Sequence, residues 1–489
     1  MSDLPPGWEL APLSEIVAIN QRRFDAEPDD DEHISFVPMA SVEAESGQLD
    51  ASQTAPYGEL KQRSLTRFQE GDVLFAKVTP CMENGKIAVA RGLSSGRGMG
   101  STELFSLRSH GAIDPDYLAY YLLQDSVRRD AARAMTGAVG LRRVPRGYLE
   151  DLAIPVPPLA EQRRIAEALD THLSSLQAGM QQLDRTAGRV SRFRDQVMLL
   201  VSTGQLARGR AAGQAALEPD GVDDGELPDL PDSWSWHRLH EIADVIGGVT
   251  KDSKKQSDPD YVEVPYLRVA NVQRAELDLT AVARIRVPEK KAQQLRLLPG
   301  DVLLNEGGDR DKLGRGWIWE GQIPDCIHQN HVFRARIRDE ILHPKLLAWH
   351  ANGFGRRWFE VNGLQSVNLA SISLGKMKKF PVPVPPVEEQ GELVRQAETY
   401  LSLLDQLETA ISDGLRKAST LRTSLLAEAF AGRLVEQDPA DEPASELLAR
   451  IRAQRVAVPK QRGRRTAKEL AAPATRAIGT DFQQGELPL

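Results

Sequence analysis

The chain is poor in cysteine, has no long apolar run and carries no excess of positive charge. Cys81 and Cys326 are its only cysteines, too few for a disulfide framework and in keeping with a reducing cytoplasm. No apolar stretch reaches the roughly 18 residues of a membrane-spanning helix. The opening MSDLPPGWEL lacks the basic-then-apolar layout of a secretion signal, so the expectation is a cytoplasmic protein. The formal net charge is −8 over 489 residues. The molecule as a whole therefore does not advertise a polyanionic partner, and any face for one must be local or shared with another subunit.

Motifs for catalysis are also missing. SSGRGMGS (94–101) is glycine-rich but lacks the Gly-Lys-Ser/Thr ending that cradles phosphates. There is no dinucleotide fingerprint after a strand, and no Asn/Asp-Pro-Pro-aromatic tetrapeptide of the kind amino-methyltransferases of nucleic acids carry. PDYVEVP (259–265) has acidic residues but no lysine placed for a metal-dependent nuclease. CIHQNH (326–331) brings Cys326, His328 and His331 close together. Alternation along CIHQNHVFRARI fits a strand better, and there is no second ligand cluster, so no metal is expected. The reading is of a chain that catalyses nothing by itself.

What is present is a repeat, the first thing to seek in a chain of this length. LPPGWELAPLSEI (4–16) matches LPDSWSWHRLHEI (230–242), aligning Trp8 with Trp234. GDVLFAKVTPCMENGK (71–86) matches GDVLLNEGGDRDKLGR (300–315), keeping glycines at 71/300 and 85/314. IPVPPLAEQ begins at 154 and VPVPPVEEQ at 382, and FRDQVMLLVSTGQL (193–206) sits opposite LRTSLLAEAFAGRL (421–434). Each half opens with about 150 residues of short β-branched runs and turn residues, with helical spacing at 114–135 and 343–361, which reads as strands with a few helices.

The second part of each half is one long helix. Pro158 and Pro386 suit its first position, and Glu161 and Glu389 fall in the first turn, where negative charge is favoured. Leu173, Leu176, Met180, Leu183, Ala187 and Val190 repeat at steps of 3 and 4, a heptad seam. Leu404, Leu407, Ile411, Leu415 and Ala418 supply a matching stripe. Roughly 43 helical residues make a rod of about 65 Å. The spacing predicts that the two helices pair with each other, antiparallel. A bundle core helix or a homodimeric coiled coil is the plainer alternative. Gly204 and Gly432 are candidate stops. The Ala/Gly/Asp/Pro-rich stretch after the first helix reads as a flexible link. Beyond Leu434 the chain reads as a tail, partly disordered or else a docking element, with a possible short helix at ASELLARIRAQR and a basic stretch, KQRGRRTAK (460–468).

Two modules, each followed by a long helix opened by Pro-Pro-x-x-Glu-Gln, resemble the specificity subunit of type I restriction–modification enzymes. GDVLFAKVTPCMENGKIAVA (71–90), GSTELFSLRS (100–109) and CIHQNHVFRARI (326–337) look like pieces of that family's target recognition domains. The likeness spans about residues 4–434. It implies an α+β protein: target recognition domain 1 at 1–158, spacer helix 1 at 159–206, a linker at 207–229, domain 2 at 230–386, spacer helix 2 at 387–434, and the tail at 435–489. It further implies that each domain reads half of a gapped target in double-stranded DNA through the major groove, with the helices fixing the unread gap. Two modification subunits would bring S-adenosylmethionine and methylate adenine; restriction subunits would bring ATP and Mg for translocation and cleavage. No cofactor is expected on this chain.

Base readout favours Arg, Lys, Asn and Gln, and phosphate contact favours Lys and Arg. The candidates are Lys77 and Lys86 flanking TPCMENG, and Arg142, Arg143 and Arg146 in GLRRVPRG. In the second half they are Lys251, Lys254 and Lys255 in KDSKK, and Arg310, Lys312 and Arg315 in GGDRDKLGR. Any one of them is equally readable as a solvated surface charge. Rival functions are a recognition module of another bipartite restriction system, an enzyme with unrecognised motifs, and a coiled-coil scaffold without DNA.

Overall fold

The computed structural model describes residues 4–138, 140–205, 217, 220–308, 312–365 and 370–457. The chain forms two compact units, residues 1–173 with 422–489, and residues 174–421. The long helices, Leu159–Ser202 and Val387–Phe430, each begin in one unit and end in the other. Among the described residues no helix is long and apolar enough to cross a membrane.

The repeat in sequence is a repeat in topology. In the first unit, strand Val73–Ala76 is buried on both faces, as its unbroken apolar run requires. It lies between Leu104–Ser109 and Ile87–Val89, and Val17–Ile19 completes an antiparallel sheet of four. In the second unit Val302–Asn305 holds the same place, in the order Ala243–Ile246, Val332–Ile337, Val302–Asn305, Gly316–Ile318. A second sheet in each unit contains one parallel pair, Ser35 to Val37 with Gly98 to Gly100 and Tyr266 to Leu267 with Ile327 to His328. A short ribbon closes each module. Glu9–Pro12 pairs with Ala153–Val156, and Ser235–Arg238 with Pro381–Val384.

The ribbons explain the doubled Pro-Pro-x-x-Glu-Gln. Trp8 donates its indole N–H to Glu161 at 3.1 Å, and Trp234 donates to Glu389 at 3.1 Å. Gln162, fully buried, accepts from the Asp114 amide at 2.7 Å and donates to the carbonyls of Ala112 and Pro157. Gln390 accepts from the His343 amide at 2.6 Å and donates to Ile341 and Pro385. Each glutamate therefore ties the helix to the tryptophan just before its module's first strand, and each glutamine ties it to the capping residue of a shorter helix, Pro115–Leu123 or Pro344–Asn352. Proline stands just before the first helical residue in both cases.

Both long helices also stop alike. Gly204 (φ +72°) and Gly432 (φ +70°) take the left-handed conformation. Their amides donate to Val201 and Ala429, and the next residues' amides reach Leu200 and Glu428, the paired bonds of a Schellman motif. Glycine is doubly required here. A Cβ on Gly204 would lie 2.6 Å from Pro231, and one on Gly432 would lie 2.4 Å from Pro5.

Within the second unit the helices run antiparallel. Arg194 bonds Asp405 at 2.6 Å and Glu408 at 3.0 Å, while Leu183 approaches Gly414. Seam residues Leu176, Met180 and Leu183 are half-buried and Val190 and Ile411 buried, the burial a two-helix pair can give. Within the first unit Ile165 and Leu169 share a core with Leu426 and Ala429.

Two segments between and beyond the modules are bonded into their units. Asp224, in the stretch read as a flexible link, is bonded to Arg238 and to the Trp358 indole. Leu230, where the second module begins, is fully buried. Beyond Leu434, helix Ala444–Ala457 buries Leu447, Leu448 and Ile451 in the first unit's core, each worth about 1.5–3 kcal/mol. Arg452 pairs with Glu15 at 2.6 Å, and Arg164 with Asp441 at 2.7 Å. The short helix expected at ASELLARIRAQR is there, and it docks.

The second unit also buries two histidines. His350 lies with Nε2 2.9 Å from the Pro381 carbonyl and Nδ1 3.2 Å from the Ser202 hydroxyl. Burial pushes it down to about 3. His328 donates Nδ1–H to the Val332 carbonyl at 2.6 Å, and burial pushes it down to about 4. An unfolded histidine titrates near 6.5, so the unfolded unit binds more protons below that pH. Stability is full above about pH 6.5 and falls as pH drops toward 4, by on the order of 2 kcal/mol per histidine at pH 5. Hydrogen exchange at pH 7.5 and 5 is expected to show residues 174–421 loosening first; earlier loosening of the first unit would refute this.

Candidate nucleic-acid interface

In each module three loops meet where the central strand ends. In the first unit they are 77–86, 101–103 and, on either side of residue 139, 136–138 with 140–144. The Lys77 amide donates to the Glu103 carbonyl at 2.9 Å, and Val144 donates to the Lys77 carbonyl at 2.9 Å. Thr79 donates to the Arg142 carbonyl at 3.0 Å, and Val78 bridges Arg143. Lys77, Arg142 and Arg143 are therefore neighbours along backbone bonds, although 65 residues separate the first two in sequence.

Their side chains do different work. Arg143 makes a two-bonded fork to Glu103, both bonds 2.8 Å, and stays 47% exposed. That fork holds the Glu103 carboxyl below its ordinary range. Lys77 is half-buried with its ammonium 5.0 Å from the Phe105 ring centre, and burial lowers its pKa. Arg142 donates to the carbonyls of Ala132 and Met135 at the end of helix Asp125–Ala134. Lys86 donates to the carbonyls of Met39 and Val42. Arg146 is exposed and pairs with Glu150 one helical turn on, at 2.8 Å.

Positioning of the 79–86 loop rests on residues that sequence reasoning did not single out. Buried Arg128 donates to the Glu83 carbonyl at 2.9 Å and to Glu45 at 3.1 Å. Arg422, on the second long helix, reaches the same Glu45. A Cβ on Gly85 (φ +65°) would lie 2.7 Å from Arg128, so the loop needs glycine there. No local pattern announces such long-range pairs; the matched glycines 85 and 314 are the one visible trace. Gly314 (φ +63°) lies against the Phe359 ring.

In the second unit the corresponding segments are 306–308 with 312–315, 329–331, and 364–365 with 370–371. Asn305 donates to the Arg315 carbonyl at 3.0 Å, closing the first of them. Lys312 and Arg315 are half-buried there. Lys251 and Lys254 are exposed, beside the turn that Asp252 makes with the Lys254 amide. Arg310 and the side chain of Lys255 lie outside the described residues. Cys326 is buried, its thiol pushed up to about 12, while His331 is exposed and pairs with Glu306 at 2.7 Å. Among the described residues no three His, Cys, Asp or Glu side chains gather in a way that could hold a metal ion.

Residues 5–183 match the type I restriction modification DNA specificity domain. The chain is 36% identical over 489 residues to the type I restriction enzyme EcoAI specificity subunit of Escherichia coli, covering 84% of this chain and 80% of that one. The chain belongs to the family of type I restriction enzyme specificity subunits. The same fold occurs in one chain of a solved type I R-M system, with a TM-score of 0.63 and 19% identity over 88% of this chain and 100% of that one. It occurs again in the HsdS subunit from Thermoanaerobacter tengcongensis, with a TM-score of 0.52 and 18% identity over 88% of this chain and 98% of that one. The family match to residues 5–183 takes in the first module and the start of its long helix. The second module carries the same three-loop junction on a different set of side chains.

Proposed function

We propose that this chain reads a bipartite, gapped sequence in double-stranded DNA, one half-site per module, and catalyses nothing alone. The observation that carries the reading is the duplication of one loop junction on two matching sheets, each joined to a long helix. The paired helices then set the length of unread DNA between the half-sites, on the order of one helical turn of about 34 Å. Adenine methylation at the site would come from two modification subunits carrying S-adenosylmethionine, and cleavage from restriction subunits using ATP and Mg. Tyr400, Leu403 and Leu407 form a half-exposed apolar stripe on the second long helix, which suits a subunit that docks partners. Arg143 and Arg146 are already matched by carboxylates and Lys86 and Arg142 by backbone carbonyls, so the partners would supply much of the phosphate contact. The cytoplasm, where the genome and its methyltransferases lie, is the proposed place of action.

The test is a module exchange. Residues 1–158 are replaced by the first module of a relative with a different target, and methylated adenines are mapped after reconstitution with modification subunits. One half-site is expected to change while the other half-site and the gap persist. A change in both half-sites would defeat the assignment of one to each module. Failure to co-purify with any methyltransferase would favour a scaffold, and methyl transfer by the chain alone would favour an enzyme.

A further inference from the structure

The two modules present different chemistry at one equivalent place. The Glu306 amide donates to the His331 carbonyl at 3.0 Å, as Lys77 does to Glu103. Ile372 donates to the Glu306 carbonyl at 2.8 Å, as Val144 does to Lys77. Gln329 donates to the Leu267 carbonyl at 2.8 Å, and Ser101 to Val37 at 3.0 Å. These matched bonds superpose Lys77 on Glu306, Glu103 on His331, and Arg143 on Ser371. The backbone is shared; the side chains are not.

The first module offers donors. Three of the five N–H groups of Arg143 are engaged, two by Glu103 and one, at 3.5 Å, by the Leu141 carbonyl. Its fork is thus held in a fixed plane while 47% of the side chain faces solvent. The second module offers acceptors and mixed groups. Glu306 and His331 are joined at 2.7 Å, with His331 53% exposed, the Asn330 amide 3.3 Å from its other ring nitrogen, and Ser371 exposed beside them. Two readers built on one scaffold to recognise different sequences must differ where they touch base edges and agree where they hold shape. This junction meets both conditions.

We propose that this junction is the base-reading locus of each module. Arg143, braced by Glu103, takes the O6 and N7 acceptors of a guanine in the first half-site. Glu306 and His331 take the exocyclic amine of an adenine or cytosine in the second. Arginine on guanine and a carboxylate on the cytosine amine are pairings that base-edge chemistry in the major groove favours, and adenine presents an amine donor of the same kind. Glu103, Glu306 and His331 enter as specificity determinants although none has the basic character that marks a DNA contact in sequence. The inference rests on the DNA-reading function proposed above and deepens it.

The complex reconstituted with its modification subunits is offered duplexes randomised through both half-sites, and methylated products are sequenced. Arg143→Ala is expected to cut the preference for guanine at one position of the first half-site by about 10- to 100-fold, leaving the second half-site as it was. His331→Ala should relax one position of the second half-site only. The triple exchange Lys77→Glu, Glu103→His and Arg143→Ser should move the first half-site's preference from guanine toward adenine or cytosine. If the triple variant does not fold, the two single substitutions at exposed side chains carry the test, with the untouched half-site as the internal control. Unchanged preference at every position in both single variants would overturn the locus while leaving the DNA-reading function standing. So would an even loss across all sequences, which would mark phosphate contact or support of the loops. A parent complex that selects no bipartite site at all would sink the function and the locus together.

Discussion

Seven residues added to each long helix at matched levels, after Leu183 in the first and before Gly414 in the second, are expected to abolish modification of the natural target. The same two half-sites, set farther apart, should be modified instead. Leu183 approaches Gly414 where the helices run antiparallel, and one heptad inserted in both preserves the apolar seam. Each heptad adds about 10 Å, the rise of about three base pairs. Three base pairs also turn the groove by roughly a third of a revolution, so the new target should bind less tightly than the old one. Modification of the old target should fall by two orders of magnitude or more, since one module can no longer reach its half-site. The measurement is a map of methylated adenines from the reconstituted complex. Altered half-sites with an unchanged gap would show that the helices do not set the distance.

Gln162→Ala is expected to unfold the first unit at conditions the second survives, and Gln390→Ala to do the reverse. Each side chain is buried and satisfies three backbone groups: one amide at a helix start and two carbonyls. An orphaned buried polar group costs about 1–3 kcal/mol, so removal of the amide should cost about 3–5 kcal/mol in all, in the range reserved for broken buried networks. The neighbouring Arg163 is exposed, and Arg163→Ala should cost under about 0.5 kcal/mol. Hydrogen exchange resolved by segment decides the matter. Equal loss of protection in both units from either variant would mean that the glutamines are not the local fasteners described.

Much of this architecture was legible from residues that do one job for local reasons. Gly204 and Gly432 are where the helices stop, because a left-handed residue is needed and glycine adopts it cheaply. The heptad steps between Leu173 and Val190 anticipated a half-buried seam. VLFA and the VLL of VLLN are buried because their side chains are apolar, while Asn305 is buried with its amide on the Val272 carbonyl. The job of the Glu-Gln pairs was not legible. Their spacing announces a helix start, while their partners, Trp8 and Asp114 or Trp234 and His343, are distant in sequence. The candidate interface divides in the same way. Lys86 and Arg142 have the right chemistry for phosphate, yet their donors go to backbone carbonyls that only the fold brings near. Glu103 and Arg128 were missed because an acidic residue and a buried arginine carry no outward sign of supporting a loop.

The make-up of the first unit has a consequence for synthesis. Residues 174–421 are contiguous, so the second module can close while the ribosome is still adding residues behind it. The first cannot, because Phe430 packs edge-on against Tyr117 and Tyr121, and Leu447, Leu448 and Ile451 fill the same core. The module translated first is therefore finished after the second, with an apolar face waiting for Phe430, Leu447, Leu448 and Ile451. A premature stop codon after the second module would spare the module just completed and silence the one made earliest.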